Sequence, residues 1–161
     1  MLISEHMTPV MYLDPSGYFI GGFGFSFLAG TILGTSLSVW IVFDSNGNIG
    51  FLVYGGAGAV SPAASASLSS FFSWRESIDD MNGYSETLGA SGDFGGSLGG
   101  DLLLDEDGLM GVAANVGGGY SPYTVEGHYF LGESHVVEIG KTDTNKDFIF
   151  QLVTAIKKIL G

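Results

Sequence analysis

The sequence predicts an all-β domain, a Gly-rich antiparallel β-barrel or strongly coiled meander that ends in a C-terminal amphipathic α-helix. Three observations predict it. Glycine supplies 27 of 161 residues, and each would cost a helix interior roughly 1 kcal/mol relative to Ala. Apolar residues recur at period two through long uncharged stretches, which is the strand signature. Turn pairs such as Asn46-Gly47 separate the alternating runs, and Asn-Gly is a strong short hairpin signal.

Bulk composition removes other classes. Twelve Phe, seven Tyr and two Trp supply more apolar surface than a disordered chain carries. Four Pro without a G-X-Y period exclude collagen. There is no Cys, so no disulfide framework, thiolate nucleophile or Cys-based zinc site is available. The net charge is −12, and residues 1–140 hold 15 acids and one base, Arg75. Such a body repels phosphate backbones, so nucleic acid is not an expected ligand. The first residues show no basic region followed by an apolar core and cleavage site, so no signal peptide is read. Export by a dedicated secretion system is the expectation if the protein leaves a cell.

The elements follow in order. Pro15 to Phe43 and Ser45 to Trp74 are free of charge over 29 and 30 residues, lengths that also admit transmembrane helices. The alternation favours strands. Phe23, Phe25 and Phe27 alternate with Gly24 and Ser26. Leu37, Val39, Ile41 and Phe43 share one face, and Ala64, Ala66, Leu68 and Phe72 alternate with serines. Strands are predicted near 18–29, 31–43, 48–60, 63–74, 84–92, 96–105, 109–119, 123–131 and 134–140, with a short helical turn within Arg75 to Met81. Ser61-Pro62, Asn82-Gly83, Asp107-Gly108 and Ser121-Pro122 mark turns. Glycines inside strands imply curvature, bulges and close backbone approach, which a closed sheet requires.

Residues 1–17 read as a leader and 18–161 as one domain, with a helix about 145–160. Phe148, Ile149, Leu152, Val153 and Ile156 recur at helical spacing, and Lys157 and Lys158 suit the negative end of its dipole. This helix serves as packing against the barrel, as a membrane-surface element or as a partner contact.

Pro9, Val10, Tyr12, Asp14, Pro15 and Gly17 lie in the run Thr-Pro-Val-Met-Tyr-Leu-Asp-Pro-Ser-Gly. That run resembles the end of the Rhs/YD-repeat core of bacterial polymorphic toxins, where an Asn-Pro-apolar-x-Tyr-x-Asp-Pro-x-Gly segment closes the shell. Thr8 stands where Asn is usual, and no YD repeats precede it. The resemblance implies that residues 18–161 correspond to a variable C-terminal toxin cassette, with an immunity protein as partner. It implies autoproteolytic release only in part, since Asp14 alone matches that apparatus. A plain β-turn is the other reading of Asp14-Pro15-Ser16-Gly17.

Chemistry-bearing residues are few. A turn at Leu131-Gly132 would place His128 opposite His135, with Glu126 and Glu133 on the same side. These four are the candidates for acid–base or metal work; a solvated hairpin face is the competing reading. Asp101, Asp105, Glu106 and Asp107 suggest a charged hairpin tip. Asp143, Asn145 and Asp147 start like a calcium loop but lack its Gly and final acid, which favours a helix N-cap region. No nucleophile elbow or phosphate loop is present, and no cofactor or metal is implied. The expected function is therefore a non-enzymatic Rhs-type effector domain acting by membrane association or pore formation, with a lipid membrane as partner and oligomers allowed. The alternatives are a soluble ligand-binding or structural barrel and a small metal-dependent hydrolase.

Overall fold

The computed structural model describes residues 18–141. Within them the chain forms eight strands: β1 (Ile20–Gly30), β2 (Leu33–Asp44), β3 (Asn48–Val60), β4 (Ala63–Ser73), β5 (Gly83–Asp93), β6 (Ser97–Asp105), β7 (Gly108–Tyr120) and β8 (Val125–Lys141). A 3-10 turn at Ile78–Met81 links β4 to β5. The strands close into an antiparallel barrel in the order β1-β2-β3-β8-β5-β6-β7-β4, so no sheet edge is left to template aggregation. The leader, its motif residues and the helix expected about 145–160 lie outside the described residues.

The barrel prediction holds, and the meander form of it does not. Each half has the spatial order of a Greek key, with the fourth strand beside the first: β4-β1-β2-β3, then β8-β5-β6-β7. The connections 61–62 and 121–124, each holding a Ser-Pro pair, carry the chain across the barrel mouth, so β3 and β4, and β7 and β8, are not ladder neighbours. The crossings touch, with Ser121 Oγ donating to the Pro62 carbonyl at 3.3 Å.

The two halves repeat one another in detail. Asp44 Oδ1 accepts from the Asn46 amide and Asp105 Oδ1 from the Asp107 amide, both at 2.9 Å. These Asx turns open the β2–β3 and β6–β7 hairpins and end at Gly47 (φ 85°) and Gly108 (φ 111°), a backbone that L side chains resist. Phe71 on β4 and Phe130 on β8 occupy matching inward positions, at 5% and 0% exposure.

Strand parity sorts the residues. Inward-facing Ile20, Val42, Leu52, Phe71, Leu103, Met110 and Phe130 form an apolar plug at the end where the Asx turns lie. Ile78 and Met81 of the 3-10 turn seal that end. Their backbone is held by Asp44, whose Oδ2 accepts from the Ile78 amide at 3.1 Å, and by a Ser77–Asp80 capping box. Toward the opposite end the interior becomes polar.

Candidate functional site

Two surfaces carry chemistry, the outside of the barrel and its polar lumen. Outside, large apolar side chains dominate. Among the described residues 27 large hydrophobics are exposed, against a buried hydrophobic core of 15, where a soluble monomer rarely shows more than an isolated patch. Phe23, Phe25 and Phe27 on β1 are 43%, 57% and 48% exposed. Beside them stand Leu68 and Phe72 of β4 and Leu37 and Val39 of β2, and the belt continues through Val53, Leu88, Leu102, Val112, Val116 and Leu131. It encircles the barrel. Of the acids, bases and histidines, those of outward parity on the described strands are Glu86, Glu133 and His135, all in the half nearer the 3-10 turn, with Glu138 and Lys141 exposed at the end of β8 beside its bulge. Glu86 accepts from the hydroxyls of Tyr84 and Tyr129, the latter at 2.6 Å.

Inside, small and polar residues alternate with the belt: Ser26, Ser38, Ser67, Thr87, Ser91, Asp101, Asn115, Glu126 and His128 line a chamber of about 50 Å³. Its centre is a connected set. His128 Nε2 lies 2.9 Å from Asp101 Oδ1; a carboxylate only accepts, so Nε2 is the donor, and the buried Nδ1 has no hydrogen-bond partner among the described residues. Asn115 Nδ2 donates to Asp101 Oδ2 at 2.6 Å. Ser91 Oγ donates to Glu126 Oε1 at 2.6 Å, and Ser38 Oγ to Ser26 Oγ at 2.8 Å. Trp40 and Tyr54 separate the chamber from the apolar plug, with Trp40 meeting Phe71 edge-on at 5.4 Å. The lumen is filled by side chains, as eight strands allow.

The four-residue patch expected around Leu131-Gly132 is not formed. β8 runs straight through those residues, pairing with β3 and β5, so even and odd positions face opposite ways. His128 and Glu126 point into the lumen. His135 and Glu133 point outward, 3.7 Å apart and more than 70% exposed. Among the described residues no group of three or more His, Asp or Glu is placed to hold a metal. The acidic run also divides, with Asp105, Glu106 and Asp107 at a hairpin turn and Asp101 in the lumen. Asp105 instead forms an ion pair with Arg75.

The sequence reading missed the Asp101–Asn115–His128 set. Its signal was present: each of the three sits between apolar or glycine neighbours in an alternating run, which marks a polar residue on the face opposite the belt. No protein-family model, no curated protein and no solved structure matches this chain.

Proposed function

We propose that the domain acts by embedding its barrel in a lipid bilayer, as the membrane-active cassette of an Rhs-type effector. One observation carries the reading: polarity is inverted, with an apolar belt around the outside, broken by Glu86 and His135 on the side of the 3-10 turn, and hydrogen-bonded polar groups inside. That is the arrangement a bilayer demands of a β-barrel. Dimensions agree. The 11-residue β1, rising roughly 3.3 Å per residue and tilted about 40°, spans about 28 Å, against a hydrocarbon thickness of about 30 Å. A protein partner would cover a patch, whereas this belt has no uncovered side. Among the described residues no helix is long and apolar enough to cross a membrane; the strands would do so. The filled lumen favours occupation of the bilayer over conduction through a single barrel.

The test is flotation with phosphatidylcholine vesicles. The refolded chain is expected to rise with the vesicles, to resist carbonate extraction and to keep a protease-resistant core. A monodisperse, detergent-free monomer left in the bottom fraction would exclude the reading. Directing the chain to a bacterial envelope tests the effector half separately: growth arrest is expected, and a lipid-binding chain without growth arrest would remove the toxin assignment.

A further inference from the structure

We infer that the barrel enters a bilayer in one direction, leading with the end formed by the connections 31–32, 61–62, 94–96 and 121–124, while the end capped by the 3-10 turn stays in the water it came from. This rests on the bilayer reading above and adds a direction to it.

Charge is sorted along the barrel axis. The connections at the capped end carry Arg75, Glu76, Asp79, Asp80, Glu106 and Asp107. β1 begins and β8 finishes there. The four connections of the other end contain no charged residue. The carboxylates nearest to it, Asp93 and Glu126, belong to the inward parity, and Glu126 is 6% exposed with a hydroxyl donor from Ser91. The tips there are apolar: Ile32 is 78% exposed and Phe94 79%.

Backbone groups at this end are also spared desolvation. The Val60 amide donates to the Ile32 carbonyl at 3.1 Å, Ser61 to Gly127 at 3.0 Å and Phe94 to Gly96 at 3.0 Å. The Tyr123 amide finds Ser121 Oγ at 3.1 Å, and Pro62 and Pro122 have no N–H to satisfy. An end that carries no charge and has several of its amides already bonded crosses hydrocarbon at lower cost than a charged one. The capped end, with its carboxylates, does not.

The chain has no cysteine, so single cysteines report topology without background. Thr31→Cys and Glu106→Cys each replace an exposed turn residue at opposite ends. Each variant is added to preformed phosphatidylcholine vesicles, the floated fraction is isolated, and a membrane-impermeant maleimide is applied outside. Glu106→Cys is expected to label fully, and Thr31→Cys about tenfold more slowly until detergent opens the vesicle. Equal labelling of the two in intact floated vesicles, or protection of Glu106→Cys, overturns the direction while leaving bilayer binding in place. Absence of both variants from the floated fraction overturns the bilayer reading itself.

Discussion

His128 on β8 and Asp101 on β6 hydrogen-bond at 2.9 Å although their strands are not neighbours. β5 runs between them, and at that level it contributes Gly89, which pairs with Asp101 on one side and His128 on the other. The bond exists because Gly89 has no side chain: a Cβ there would collide with Asp101 Oδ1 and His128 Nε2. The other half repeats the glycine and not the bond: Gly24 lies between Trp40 and Ser69, and a Cβ there would strike the backbone of Val39 and Trp40. Gly89→Val should therefore expel the pair from its geometry and lower stability by about 2 kcal/mol through overpacking and a stranded buried polar group. Urea unfolding in detergent measures this. A change within about 0.5 kcal/mol, ordinary for an uninvolved surface site, would mean the pair contributes nothing.

Asp44 is 5% exposed and accepts four hydrogen bonds, from the Asn46, Asn48 and Ile78 amides and the Asn48 side chain. It joins the β2–β3 turn to the 3-10 cap. Asp44→Ala is expected to cost about 3 kcal/mol, since charge-assisted bonds are the stronger class and their donors are left buried. Its symmetry mate Asp105 is turned instead toward Arg75, whose side chain is partly exposed, so Asp105→Ala should cost less, about 1 kcal/mol. Thermal unfolding of both variants gives the ranking; the reverse order would show that the cap is not held through Asp44.

Strand existence was legible because period-two alternation survives any tertiary context, and the turns at Gly47 and Gly108 were legible because their φ demands glycine. Which face meets water was not, since alternation has two faces and the same pattern serves a soluble or an inserted barrel. Leu131-Gly132 misled for a definite reason. Gly132 serves not a turn but a close approach: a Cβ there would strike the backbone of Gly55 and Gly56 on β3. The inward parity of Asp101, Asn115 and His128 was legible, but their meeting was not, because His128 reaches Asp101 only through the pairing of β8 with β5 that the Greek-key order creates. The repeated Ser-Pro, spaced 60 residues apart, was the overlooked sign of the two crossings.

The two histidines should separate cleanly. His135 is 72% exposed on the outer face, and His135→Ala is expected to leave stability within about 0.5 kcal/mol of the parent. His128→Ala strips Asp101 Oδ1 of its donor, leaving only Asn115 on Oδ2, and should cost about 2 kcal/mol. Equal effects in chemical denaturation would argue that the two share an environment after all.

The sharpest discrimination between lipid and water outside the barrel comes from Phe25. It lies midway along β1, points outward at 57% exposure, and pairs with Gly24 and Ser26 as inward neighbours and Leu68 across the β1–β4 ladder. On a soluble protein, Phe25→Arg touches only solvent and changes stability by about 0.5 kcal/mol or less. In a bilayer the same guanidinium sits near the hydrocarbon midplane, where it costs about 2–4 kcal/mol, falling toward zero nearer the interface. Thr35→Arg, an exposed outward position near the crossing end of β2, supplies the shallow control. The expectation is a large loss for Phe25→Arg and a small one for Thr35→Arg in vesicle-folded protein, read as unfolding free energy. Equal, small losses at both positions would place water, not lipid, around the aromatic belt.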